Sequence, residues 1–439
     1  MLRGKNIQFN TYVFTMAIVI VFVVILAWPG DLFFLNDDFI HIPQSAKKNF
    51  GQNNSARHIG DFSIWIDSLF SDKNPAGYHL TNLVIHLLNG LLIPLFFEQT
   101  GKFFGIKLSR FAGIAVAMLF LVYPFHSEGL FWIIGRSVSL STLTFLLTWV
   151  CFTFSNQNKL AYWGTFVLFI AGLFTYEQIW FLPVYAFFAI WLPKKELKWK
   201  NHHFKVVIIL LAILILYMPL RLMLISEILN PYEAKNLFNL DFVKLTLNHV
   251  KLSLRTFTNF QSSTISFILI GSAGAIVLLL ISILLYHKKR INRFWLFFLL
   301  SWQISLLPFI SLGISSSGYA SDRFLYLPSL FFCCWIIYTL VLLFKNKISL
   351  ELSFFVLFLY FSFLFTRSGL DYRKAGNLAK STLTAICNST QNPIHIDVLP
   401  LSYQGIPVLR YGVAEAIQWT CPEKAHQELN FEVEREYQR

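Results

Sequence analysis

Residues 11–29 read TYVFTMAIVIVFVVILAWP, a run without a single charge. A bilayer core about 30 Å thick needs roughly 20 apolar residues of helix to cross it, and this run meets that need almost alone. Arg3 and Lys5 precede it, and no small-residue cleavage site follows Trp28-Pro29. The segment is therefore expected to remain as a first helix with a cytoplasmic N-terminus, not to be removed as a signal peptide. Similar apolar runs recur at about 79–97, 110–124, 138–154, 160–175, 178–193, 206–225, 263–286, 294–312, 325–344 and 349–366. With the first they predict about eleven transmembrane helices in an all-α polytopic membrane protein.

Composition supports that reading. Only 13% of the 439 residues are charged and 56% are hydrophobic, with 47 Phe, whereas a soluble domain carries about 25% charged residues. A soluble fold and a disordered chain are both excluded. The formal net charge of +13 does not indicate a nucleic-acid partner, because the basic residues are not gathered on one face or tail. They sit in short clusters between the apolar runs. The alternate loops 2–10, 100–110, 155–160, 194–205, 287–293 and 345–347 hold 17 Lys and Arg, against ten in the longer opposite set. Basic loops face the cytoplasm. An odd number of spans then places the 30–77 loop and the 367–439 tail on the outer side.

Two further segments stand apart from the spans. Residues 240–257 (LDFVKLTLNHVKLSLRTF) are too often charged to cross a membrane and predict a helix lying in the outer interface. The tail, with strand-like runs and Pro/Gly punctuation, predicts a small folded outer domain. This divides the chain into a membrane domain, 1–366, and a C-terminal domain, 367–439. Cys387 and Cys421 are the cysteines outside the spans, and on an oxidising side a pair is expected to be bonded. No Cys/His spacing typical of a metal site occurs.

Ionisable groups concentrate at the outer ends of the spans, where each is a functional candidate because membranes penalise charge at depth. Asn36-Asp37-Asp38 leads, since one of two adjacent carboxylates can face a cavity as a general base while the other binds backbone donors. A helix-end cap is the simpler reading of an isolated Asp-Asp. Arg57, His58, His126, Glu128, Arg136, Glu177 and Arg323 recur at the same level and together predict an outward-facing polar cavity. Arginines there suit a phosphate, which guanidinium binds in a bidentate way.

Arg57-His-Ile-Gly-Asp-Phe-Ser63, followed by Asn74-Pro-Ala-Gly-Tyr-His-Leu-Thr-Asn-Leu-Val-Ile-His-Leu-Leu-Asn89, resembles the first-loop and second-helix signature of TMTC-type O-mannosyltransferases and their bacterial relatives, which are GT-C membrane glycosyltransferases. Tyr123-Pro-Phe-His-Ser-Glu-Gly-Leu-Phe-Trp-Ile-Ile-Gly-Arg136, Tyr176-Glu177 and Asp322-Arg-Phe-Leu-Tyr-Leu-Pro-Ser329 agree in order, with a weaker match from Arg367 to Thr384. The resemblance covers about residues 30–385. It implies a GT-C-like bundle and a sugar donor on a polyprenyl phosphate, used at the outer face of the membrane. It also implies an extracytoplasmic protein or glycan hydroxyl as acceptor. Asp37, Asp38 and Glu128 take the acidic catalytic positions. Arg57, His58, His126, Arg136, Glu177 and Arg323 take the donor phosphate and sugar positions. No cofactor is required, although a divalent metal could sit near Asp37 and Glu128.

Two positions depart from the family: Val138 stands where relatives carry an acid, and Tyr176 where they carry Lys. The tetratricopeptide array of the eukaryotic members is not seen either, so their acceptor proteins are not carried over. The expected location is a bacterial inner (plasma) membrane, with the active site and C-terminus facing the periplasm. Two alternatives remain open: a transporter or flippase of lipid-linked substrates, and a non-catalytic GT-C-like membrane subunit. Transporters commonly carry internal repeats, and none is seen here.

Overall fold

The computed structural model describes residues 2–50, 57–193, 201–224, 242–257, 264–311, 319, 321–390, 394–425 and 429–433. It is an all-α polytopic membrane protein. A helix lies at each of the eleven apolar runs. Among the described residues, the helices long and apolar enough to cross a membrane are those at Phe14–Asp31, Pro75–Phe103, Arg136–Phe154, His202–Leu224, Asp322–Leu343 and Lys347–Asn388. A further candidate is the pair Arg110–Leu121 and Pro124–Phe131, bent by 54° at its break. Lys159–Leu173, Leu182–Trp191 and Arg293–Leu306 are shorter.

These shorter helices have a common cause. Their neighbours toward one end of the bundle unwind into 3-10 turns at Pro124–His126, Glu177–Phe181 and Leu307–Phe309. The turn Asp322–Leu325 likewise precedes the helix Tyr326–Leu343. Pro124 and Pro308 remove backbone donors at two of the breaks. Irregular backbone at such depth is tolerated only where protein or a water-filled cavity surrounds it. The unwound ends therefore mark where the bundle holds polar groups.

Local signals set the helix starts. We label α1 Leu2–Leu26, α2 Asp38–Ala46, α3 His58–Ser71 and α4 Pro75–Phe103. Asn74 caps α4 by accepting from the Ala76 N–H, with Pro75 at its first position. Asn158 and Asn346 cap the helices at Lys159 and Lys347 in the same way. A capping Asn satisfies an orphan N–H, a contribution of about 1 kcal/mol. Packing does the rest. The helix Tyr326–Leu343 is buried along most of its length, whereas on His202–Leu224 Leu216 is 72% and Met223 83% exposed. The former is the core of the bundle, and the latter presents its apolar surface to lipid.

The basic loops gather at one end. Arg290 Nη1 donates to the Leu342 carbonyl at 2.7 Å, and Arg293 Nη1 to the Leu192 carbonyl at 2.9 Å. The His203 ring meets Phe103 edge-on at 5.1 Å. Alternate loops thus share a side, as an up-and-down bundle requires.

The last helix is longer than its apolar run. The last helix does not end near 366; Lys347–Asn388 is one helix of 42 residues. Its distal part stays helical because Phe365, Ser368, Tyr372, Ala375 and Ala379 continue a buried stripe at helical spacing. The helix therefore runs on into the tail as far as Asn388. The segment at Phe242–Arg255 is a helix, as expected, with Lys244 and Lys251 exposed and Asn248, Leu252 and Arg255 buried. Asn248 Nδ2 donates to the Ile310 carbonyl at 2.8 Å and Arg255 pairs with Asp322 at 2.6 Å, while Val243, Leu247 and Val250 are exposed.

In the tail, Ile394–Leu399 pairs in parallel with Leu429–Val433. Ser402–Tyr403 and Ile406–Pro407 form a tight hairpin across Gln404 (φ 53°) and Gly405 (φ 78°), where two consecutive positive φ values match a type I′ turn. A helix follows at Val413–Thr420. Cys387 and Cys421, with Cα atoms 5.6 Å apart, are joined by a disulfide.

Candidate active site

The turn between α1 and α2 separates the two adjacent carboxylates. Asn36 adopts a left-handed φ of 46°, a conformation Asn tolerates better than other side-chain-bearing residues. Asp38 then turns inward, fully buried, and accepts the Leu35 N–H at 2.9 Å and the Ile134 N–H at 3.3 Å. Burial pushes its carboxyl up to about 8, although those two N–H groups and Arg136 oppose the rise. Asp37 is only half-buried and accepts from Asn36 Nδ2 at 2.5 Å. Burial raises its pKa also, while His41 and Arg323 pull it back. One acid is a buried structural anchor, and the other is half-buried with His41 and Arg323 as its charged neighbours. Burial lowers the pKa of His41, against the pull of Asp37 and Asp61.

Arg323 approaches Asp37 from the turn Asp322–Leu325. Its backbone N–H donates to Glu128 Oε2 at 2.8 Å and its Nη1 to Glu128 Oε1 at 3.4 Å. Its guanidinium centre lies 5.1 Å from the Phe324 ring and 5.6 Å from that of Trp132. About a third of the Arg323 side chain is exposed, whereas Glu128 is buried. Glu128 therefore orients Arg323 without enclosing it.

A second basic group is built around Glu177. Arg57 reaches Glu177 Oε2 at 3.1 Å and Arg221 reaches Oε1 at 2.7 Å. Burial opposes ionisation of Glu177, but the Arg57 and Arg221 guanidiniums outweigh it and hold its carboxyl down at about 2. Two arginines on one carboxylate leave a net positive charge. The Arg57 guanidinium lies 4.3 Å from the ring of Tyr176, and Arg221 lies 5.0 Å from that of Trp180.

Three expected site residues fall elsewhere. Arg136 is completely buried and its guanidinium is committed to protein: Nε to Asn82 Oδ1 at 2.8 Å, Nη2 to the Tyr78 carbonyl at 2.9 Å and to Asp67 at 2.6 Å, Nη1 to Ser63 at 3.4 Å. It pins α3 to α4 and does not offer a fork to a phosphate. His126 is buried with Nε2 2.7 Å from Ser329 Oγ, its ring 4.2 Å from Tyr326. It packs the interior of the bundle. His58 starts α3 against the Phe174 ring, 5.9 Å away. Val138 is buried in apolar contact, its Cγ2 lying close to Gly129.

Sequence reasoning missed Arg221, although an Arg inside an apolar span is itself a signal. It also missed His41 beside Asp37, and the partners Asp67 and Arg255, which become evident only when distant helices meet. Among the described residues no three His, Cys, Asp or Glu side chains gather as a metal-binding set.

No protein-family model matches the chain. It is similar to protein O-mannosyl-transferase TMTC3 of Homo sapiens, 27% identical over 120 residues, which are 27% of this chain and 12% of that protein. It is also similar to TMTC4 of Homo sapiens, 30% identical over 95 residues, 20% of this chain and 13% of that protein. A third similarity is to Tmtc1 of Drosophila melanogaster, 28% identical over 118 residues, 27% and 13% of the two chains. The chain thus matches about an eighth of the length of these curated relatives.

Proposed function

We propose that the protein is a GT-C-type membrane glycosyltransferase that moves a sugar, with mannose the first to test, from a polyprenyl phosphate to an extracytoplasmic hydroxyl of a protein or glycan. The similarity to O-mannosyl-transferases supports the reaction class. The observation that carries the site is a half-buried Asp37 carboxylate beside the part-exposed Arg323 guanidinium, among unwound helix ends.

The residues suggest a division of labour. The polyprenyl chain stays in the bilayer against the apolar surface, and its phosphate and sugar emerge at the polar end of the bundle. The acceptor hydroxyl oxygen attacks the anomeric carbon as Asp37 takes its proton. The bond from that carbon to the phosphate oxygen breaks, and polyprenyl phosphate leaves with the bonding electrons. Its growing charge is met by Arg323, held ready by Glu128, with Arg57 and Arg221 contributing positive potential nearby. Tyr176, in place of the Lys of related proteins, carries Arg57 on its ring, so a cation still occupies that region. The excess of basic residues in the opposite loops supports an outward-facing site, in a bacterial inner membrane on the reading above.

Purified protein in lipid nanodiscs, given polyprenyl-phosphate mannose and a Ser/Thr-rich peptide, should release polyprenyl phosphate and form mannosyl-peptide. Export of intact donor across proteoliposomes without release of polyprenyl phosphate would favour the transporter reading instead.

A further inference from the structure

The tail meets the membrane domain at the turn that carries Asp37. The Asn36 N–H donates to the Val408 carbonyl at 2.8 Å, and Asn36 Oδ1 accepts the Tyr411 N–H at 2.7 Å. A backbone N–H can only donate and an ionised carboxylate can only accept, so this pair of contacts orients the amide unambiguously. Its oxygen faces the tail and its nitrogen faces Asp37 Oδ1, 2.5 Å away.

The tail is itself held in place on several sides. Trp419 packs 4.8 Å from Phe34 and 5.9 Å from Phe39, which flank the turn. Lys73 Nζ donates to the Trp419 carbonyl at 2.7 Å. Gly412 has a φ of 76°, and a Cβ there would lie 2.8 Å from Ile40 Cγ1 and 3.4 Å from the Asn36 carbonyl oxygen. The Cys387–Cys421 bond ties the end of the tail helix to the end of the helix Lys347–Asn388.

We propose that the C-terminal tail is a working part of the active site: through Asn36 it holds the Asp37 carboxylate in the orientation that accepts the acceptor's proton. This rests on the reading of Asp37 as general base. Asn36 is a positioning residue, since it acts through Asp37, and the segment Val408–Gly412 is its support.

The groups that set the Asp37 charge are Asp38 and His41 on α2, Arg323 on the turn Asp322–Leu325, and the Asn36 amide; Asp61 on α3 and Arg57 act on His41 in turn. Removing the amide donor destabilises the ionised form and raises the pKa of Asp37. Asn36→Gly keeps the left-handed backbone available and deletes only the side-chain link. In the polyprenyl-phosphate mannose assay it should lower kcat about tenfold or more through misplacement of the base, leave the donor KM close to wild type, and move the acidic limb of the kcat–pH profile upward. Gly412→Ala, on the tail side, should act the same way, and the double variant should be no worse than the more affected single one. A purely structural role would lower yield or melting temperature and leave the acidic limb where it is. If Asn36→Gly does not accumulate, Gly412→Ala carries the same test. Wild-type kcat and an unmoved limb in the accumulating variant would overturn the proposal while leaving the transferase reading intact. A wild-type protein without turnover would overturn both.

Discussion

At the scale of single residues, the Asp37–Asp38 pair shows how one turn makes two different acids from adjacent identical side chains. Asp37→Asn should lower transfer by a factor of about 10²–10⁴, the usual contribution of a general base, whereas Asp38→Asn should cost less turnover, because its amide oxygen keeps one of the two N–H bonds that Leu35 and Ile134 make to separate carboxylate oxygens. Both rates come from release of polyprenyl phosphate. Because burial raises the pKa of Asp37 and the base must be ionised, activity should fall as pH drops through a value above the ordinary 3.8 of an aspartate. Asp38 predicts a separate effect on stability. Its folded-state pKa of about 8 exceeds the unfolded value of 3.8, so its contribution is complete below 3.8 and lost as pH rises toward and through 8. Melting temperatures measured from pH 5 to 9 should fall for wild type and flatten for Asp38→Asn. Arg323→Lys should weaken apparent donor affinity, since an ammonium cannot reproduce a planar fork on phosphate; unchanged donor KM would remove the phosphate role. Adjacency alone in the sequence could not say which acid turns inward. That depends on the left-handed Asn36 and on N–H groups, such as that of Ile134, from a remote loop.

At the scale of elements, apolar run length made the helices at the eleven apolar runs legible, while Asp38–Ala46 and His58–Ser71 within the 30–77 loop and the unwound ends were hidden. Pro124 and Pro308 hinted at two breaks, but Glu177–Phe181 and Asp322–Leu325 contain no proline; their polar side chains find partners only after folding. The same blindness explains Arg136. An Arg following a loop glycine reads equally as a ligand or as a strut, and only the meeting of Asp67, Asn82 and Tyr78 decides for the strut. Asp67→Ala should therefore destabilise the protein by about 3–5 kcal/mol by stranding a buried guanidinium, read as a lower melting temperature in nanodiscs. Donor KM measured below that melting temperature should be unchanged. The last helix was legible in its apolar half and not beyond it, because the distal stripe of small and aromatic residues alternates with polar ones and lacks the hydropathy of a span.

At the scale of the whole molecule, the protein is organised by its two ends: basic loops packed together at one, acids and arginines converging with the tail at the other. This arrangement gives the sidedness a direct check. Gln404 is exposed at the tip of the tail hairpin, and a Gln404→Cys variant should react with an impermeant maleimide added to the outside of intact cells. Reaction only after permeabilisation would place the tail, and the site with it, in the cytoplasm. Convergence of distant loops on one pole is also why the site was only partly readable from sequence. Charge placement pointed to the pole, but the pairing of Glu128 with Arg323, of Glu177 with Arg57 and Arg221, and of Asn36 with Val408 and Tyr411 joins positions tens to hundreds of residues apart. The account stands on Asp37 and Arg323 flanking one reacting centre. The most direct measurement is an electron cryomicroscopy map of the protein in nanodiscs with polyprenyl-phosphate mannose. The expected result is phosphate density within hydrogen-bonding distance of the Arg323 guanidinium, with the sugar's anomeric carbon facing Asp37. A head group bound at another pole of the bundle, out of reach of both residues, would contradict it.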